Sequence, residues 1–153
     1  MGTKDSGWGR LSGFQGETGK EAPIRLVGPL HLRSDTVACW YCNRLTRVHA
    51  LIAHDVVDMG KPNHAPCYVH GIHHPPQSLL DAIAPRTPHF RLADSRTGTR
   101  LLANHCEHCG ALQPDYRLHE EPDGAFAGEP PAGPCGPPLL EGDLDLEFAE
   151  YLY

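Results

Sequence analysis

At 153 residues the chain suits one modest domain with tails and is too short for two ordinary domains with full cores. Sixteen glycines and fifteen prolines against 7% aromatic residues mark much of it as loop or tail, and no window approaches the run of about 18 apolar residues that a membrane-crossing helix needs. The net charge of −6 is divided unevenly: residues 1–119 hold all 13 Lys and Arg with 10 acids, residues 120–153 hold the other 9 acids and no base, and the scattered arginines form no dense basic stripe of the kind a committed nucleic-acid binder shows.

Residues 1–23, "MGTKDSGWGRLSGFQGETGKEAP", are Gly-rich and polar and are expected to be a disordered N-terminal segment. They contain no apolar stretch of a secretory signal, so the expectation is a soluble, cytoplasmic protein with no membrane partner. "MGTKDS" also fits the N-myristoylation pattern, a short motif with a high false-positive rate. From Ile24 the chain reads as strands: "IRLVGPLHLR" alternates apolar and polar residues around a Gly-Pro break, and "DTVACW" and "TRVHALIA" flank a close cysteine pair. "PPQSLLDAIA", residues 75–84, reads as a short helix with prolines at its start and Leu79, Leu80 and Ile83 on one face. "HFRLADSRTGTRLLANH" predicts two strands joined by a turn near Arg96 to Thr99, and Asp115 to His119 predict one more strand. "EEPDGAFAGEPPAGPCGPP" is too rich in Pro and Gly to pack, and its Cys135 is expected to be a free thiol. The end, "LLEGDLDLEFAEYLY", alternates acids with Leu144, Leu146, Phe148, Tyr151 and Leu152; such a segment is either a disordered docking peptide or a short final strand or helix packed on the core.

The chemistry lies in the cysteines. In a reducing cytosol six cysteines are more consistent with thiols or metal ligands than with disulfides. Cys39 and Cys42 in "CWYC", and Cys106 and Cys109 in "CEHC", each have a two-residue spacer that lets both thiolates face one concave turn, and two such turns supply the four sulfurs of a tetrahedral zinc site. Asn43 and Gly110 follow the second cysteine of each pair, and both residue types accept the positive φ of a chain bending back around a metal. Sixty-three residues separate Cys42 from Cys106, well beyond the usual interval. Loop-closure entropy grows only logarithmically, so the longer insert costs about 1 kcal/mol more. Structural zinc contributes on the order of 10 kcal/mol. A thioredoxin-like redox pair is disfavoured because neither pair precedes a helix in a βαβ unit.

Both pairs, "CEHCG" in particular, resemble the knuckles of zinc ribbons and related treble-clef domains. "TRLLANHCEHCGALQPDYRLHEEPDGAF" and "VACWYCNRLTRVHALIA" resemble segments of uncharacterised bacterial zinc-ribbon-containing proteins, a likeness covering about 45 residues. The resemblance implies zinc on Cys39, Cys42, Cys106 and Cys109, and no activity. The fold expected is therefore α+β and β-rich, with a small zinc-ribbon-like domain over residues 24–119 that carries a long insert, disordered termini, and a Pro/Gly-rich acidic tail over residues 120–153. The function expected is a structural-zinc binding module that contacts a protein partner, with nucleic acid as a further candidate partner.

Two other arrangements compete. "HAPCYVHGIHH" places His64, Cys67, His70, His73 and His74 within eleven residues, a candidate second metal site or simply a His-rich loop. A cysteine pair, then His73 and His74, then Asn104 before a second pair loosely resembles the order in some HNH nucleases, which implies His73 as the base and Asn104 as its orienting residue. No acid stands beside His73, and its 31-residue distance from Asn104 exceeds the family's spacing. A rubredoxin-like iron electron carrier is the remaining alternative, although rubredoxin's pairs lie closer together.

Overall fold

The computed structural model describes residues 24–94, 98–131 and 136–151. Its frame is a long hairpin, β1 (Ile24–Ala38) paired antiparallel with β2 (Leu45–Asp58) in a register running from Ile24 opposite Asp58 to Ala38 opposite Leu45. The Gly-Pro dipeptide does not break β1. Proline lacks the N–H that a ladder needs, and the chain absorbs it as a bulge between Val27 and Leu30, with Gly28 at φ +84° donating its N–H to Asp143 Oδ1 at 3.1 Å.

Beyond the hairpin come β3 (Lys61–Asn63), β4 (Cys67–His73), helix α1 (Gln77–Ile83), β5 (Phe90–Asp94), β6 (Arg100–His105) and β7 (Leu112–Gln113). Then follow one π-helical turn (Tyr116–Glu120), β8 (Leu144–Leu146) and β9 (Phe148–Tyr151). The sheet runs β5-β6-β4-β2-β1-β8, with β3 on β2, β7 on β6 and β9 on β4, and each of these pairings is antiparallel. The β-rich expectation, the helix and the β5–β6 hairpin are all present; the hairpin's turn at residues 95–97 lies outside the described residues, as do residues 1–23 and Cys135.

β2 is buried almost without interruption because both faces of the sheet are covered. On one side Leu51, Ala53 and Val56 pack with β1, with Leu79 and Ile83 of α1, and with Leu102. On the other, Val48, Ala50 and Ile52 meet Tyr68, Leu118 and Phe126. A strand at residues 115–119 cannot form this second layer, since Leu118 and His119 are both buried while Tyr116 is exposed, and a period of two would send adjacent residues to opposite faces. The tight turn buries both neighbours at once.

The acidic C-terminal stretch belongs to the fold. Leu139, Leu144, Leu146 and Ala149 join the main core, β8 pairs with the start of β1, and Arg25 Nε donates to Asp145 Oδ1 at 2.8 Å. Among the described residues a disordered tail from residue 120 is thus corrected, and of the two readings of the chain's end the packed final strand is the one formed: Phe126 is fully buried too, and four apolar side chains with a strand pairing outweigh the loop-forming Pro and Gly around them. Gly124 sits so close to the π-helical turn that a Cβ there would lie 2.5 Å from the carbonyl oxygens of Arg117 and Leu118.

Leu146→Ala should lower stability by about 2–4 kcal/mol, the usual cost of a large-to-small change at a core leucine, whereas Glu147→Ala on the exposed neighbour should change it by less than about 0.5 kcal/mol. Urea unfolding of the two variants checks this, and an unchanged midpoint for Leu146→Ala would mean that the C-terminal strands do not pack.

Candidate metal centre

The two cysteine pairs sit on turns with the same backbone design. In the first, connecting β1 to β2, Asn43 N–H donates to Cys39 O at 2.9 Å and Cys39 N–H to Arg44 O at 2.8 Å. In the second, connecting β6 to β7, Gly110 N–H donates to Cys106 O at 3.0 Å and Cys106 N–H to Ala111 O at 2.9 Å. Asn43 at φ 65° and Gly110 at φ 78° take the left-handed conformation that closes each turn, as their residue types anticipated.

These turns bring all four sulfurs within 4.8 Å of one another, with Cys39 Sγ 3.7 Å from Cys109 Sγ and Cys42 Sγ 3.7 Å from Cys106 Sγ. A tetrahedron of sulfurs each about 2.3 Å from a central ion has edges of about 3.8 Å. The four cysteines therefore fit a tetrahedral metal ion.

The main chain prepares the sulfurs for negative charge. Cys39 Sγ accepts N–H bonds from Tyr41 at 3.3 Å, from Cys42 at 3.5 Å and from the Gln113 side chain at 3.3 Å. Desolvation works to raise its pKa, yet these donors, together with the Cys109 thiol, hold it down to about 6. Cys106 is desolvated in the same way and is lowered by the N–H groups of Cys109 and His108. Cys109 moves the other way: the Ala111 N–H favours its thiolate, but desolvation and the adjoining sulfurs of Cys39, Cys106 and Cys42 push it up to about 11. Four sulfurs this close do not ionise together without a cation among them.

A second set of contacts, carried by residues with no motif of their own, joins the turns. Trp40 Nε1–H donates to Leu112 O at 2.7 Å, the Arg47 N–H to Glu107 Oε1 at 2.9 Å, and the Glu107 N–H to Thr46 Oγ1 at 2.9 Å. His108 Nε2 lies 2.9 Å from Leu45 O. Asn104 closes the seam from within: its buried amide accepts from His49 N–H at 2.7 Å and donates to His49 O at 2.9 Å, as a neighbouring strand would. The polar residues beside each knuckle are the sequence signal for these bridges, but which partner each meets depends on the fold.

The remaining candidates are dispersed. His64 is exposed and pairs with Asp55 at 2.9 Å; Cys67 is buried in the main core, where burial pushes its thiol up to about 11. His70 is buried, His73 stacks on Phe148 with ring centroids 4.8 Å apart, and exposed His74 takes φ 52° ahead of α1. Among the described residues the four cysteines form the one group of three or more metal-ligating side chains, so the histidine-rich stretch does not close a second site. The structure gives the two HNH candidates other partners: Asn104, buried in β6, spends its amide on His49's main chain, and His73 stacks on Phe148. Compared with protein-family models, with curated proteins and with solved structures, the chain matches none.

Asn104→Ala should strip the His49 N–H and C=O of their partners and cost about 1–3 kcal/mol, while the metal content of the folded protein stays the same. Chemical unfolding together with metal analysis reads both; loss of the metal without loss of stability would contradict the bracing role.

Proposed function

We propose that the chain is a zinc-braced, non-catalytic binding module whose contact surface is the first cysteine turn, and that its partner is a protein. The observation that carries this reading is the exposure of Trp40 at 52%, Tyr41 at 70% and Leu45 at 68% on a turn fixed at its base by the cysteine cluster. Large apolar side chains clustered in water are costly unless something covers them. Trp and Tyr are also the residues most enriched among interface hot spots. Holding them on a rigid turn removes much of the ordering entropy that binding otherwise costs. The indole is further pinned by its bond to Leu112 O, and Tyr41 lies edge-on to it at a centroid distance of 5.5 Å.

Zinc is the ion this reading assigns. All four positions are protein sulfurs, which leaves no open site for substrate and suits a structural ion bracing two hairpins; iron takes the same shell, and the colour of the purified protein separates the two. A second reading, single-stranded nucleic acid, draws support from exposed Arg44 and Arg47 beside the aromatic pair, since aromatic faces stack bases while guanidinium groups meet phosphates.

Purified protein should carry one zinc per chain and be colourless, and Cys106→Ser should lose the metal together with the cooperative unfolding transition. Unchanged metal content and an unchanged melting curve in that variant would sink the zinc brace. For the surface, a photocrosslinking residue at position 41 should capture a discrete protein partner, and Leu45→Ala should reduce its yield severalfold without altering zinc content. Crosslinking no greater than from a control at exposed Thr36 would remove the protein reading, and salt-sensitive binding of labelled single-stranded RNA or DNA would replace it with the second.

A further inference from the structure

Away from the cysteines, a small polar space lies between β4 and the π-helical turn. Asp115, just before that turn, accepts the Gly71 N–H at 2.8 Å, and His119 within it stacks on His70 of β4 with ring centroids 4.0 Å apart and planes 14° from parallel. Both imidazoles are buried, at 6% and 3% exposure. Beside them is a cavity of about 10 Å³, lined by His49, His70, Asp115 and His119 among apolar neighbours. Two ring nitrogens, His70 Nε2 and His119 Nδ1, are buried without a hydrogen-bond partner. Buried polar atoms are nearly always satisfied, and a space of this size with two such groups meets the requirements for one internal water.

We propose that the cavity is a binding site for a single water molecule that hydrogen-bonds to both His70 Nε2 and His119 Nδ1. His70 Nδ1 lies 3.9 Å from Glu150 Oε1, beyond hydrogen-bond distance, which leaves the buried Nε2 as the ring's inward polar atom. Burial, and the His70 imidazole beside it, lower the pKa of His119. Water both donates and accepts, so it satisfies each nitrogen whichever of them carries a proton, without adding a charge to the core. A metal ion suits the same pair poorly, because among the described residues no third ligand atom converges with these two nitrogens. The water would thus fasten the π-helical turn, which follows closely on the Gln113 that donates to Cys39, against the centre of the sheet.

The test uses the full-length, metal-loaded protein at neutral pH. A slowly exchanging water should show NMR cross-relaxation to the ring protons of both His70 and His119. His119→Phe, which keeps a ring in the stack but removes the nitrogen, should abolish that water signal. If the variant does not fold, the water signal of the unaltered protein decides alone. A missing water signal, or a second bound zinc that disappears in His119→Phe, would overturn the assignment.

Discussion

Four sulfurs gathered within 4.8 Å of one another are the constraint on which this structure turns. Packing alone does not favour such a cluster. Each thiolate that forms makes the next harder to form, which is visible in the opposed behaviour of Cys39, held down to about 6 by N–H donors, and Cys109, pushed up to about 11 beside its neighbours. A cation held among the sulfurs would remove the conflict: it would replace the thiol protons, take all four negative ends and join the β1–β2 and β6–β7 hairpins.

The cysteine cluster lies where the sheet has least backbone pairing. β4 separates β2 from β6 through most of the sheet, pairing with β2 at Leu51 to Ala53 and with β6 only at His73 opposite Leu101. Beyond its reach, towards the cysteine turns, β2 and β6 have no ladder between them. There the Asn104 amide joins His49, Glu107 joins Arg47 and Thr46, His108 meets Leu45, and the sulfurs converge at the end. Polar side chains and the metal site supply what backbone pairing does not. The same geometry leaves the first turn projecting, its aromatic pair in solvent on a fixed base.

How much of this the sequence disclosed follows from the range of each interaction. The cysteine turns were legible because a knuckle is local: a two-residue spacer and a residue tolerant of positive φ are readable within six positions. Helix α1 was legible from its prolines and one apolar face. The histidine-rich stretch misled because proximity along a strand is not proximity in space. His70 and His73 lie on either side of a bulge in β4, opposite Glu150 and Phe148, and the fold commits one ring to His119 and the other to Phe148. The C-terminal strands were obscured by composition, since Leu144, Leu146 and Ala149 are set among acids and follow a Pro/Gly-rich stretch, and only pairing with β1 and β4 reveals their register. The partnership of His119 with His70 had no local signal at all.

The central claim is that one metal ion sits in a closed shell of four cysteine sulfurs. X-ray absorption at the metal edge of the purified protein tests it most directly, because the edge energy names the element and the fine structure counts and types the ligands. The account predicts a zinc edge with four sulfur scatterers at about 2.3 Å and no nitrogen or oxygen in the shell. A mixed shell containing imidazole nitrogen at about 2.0–2.1 Å, or open positions filled by water, would contradict it.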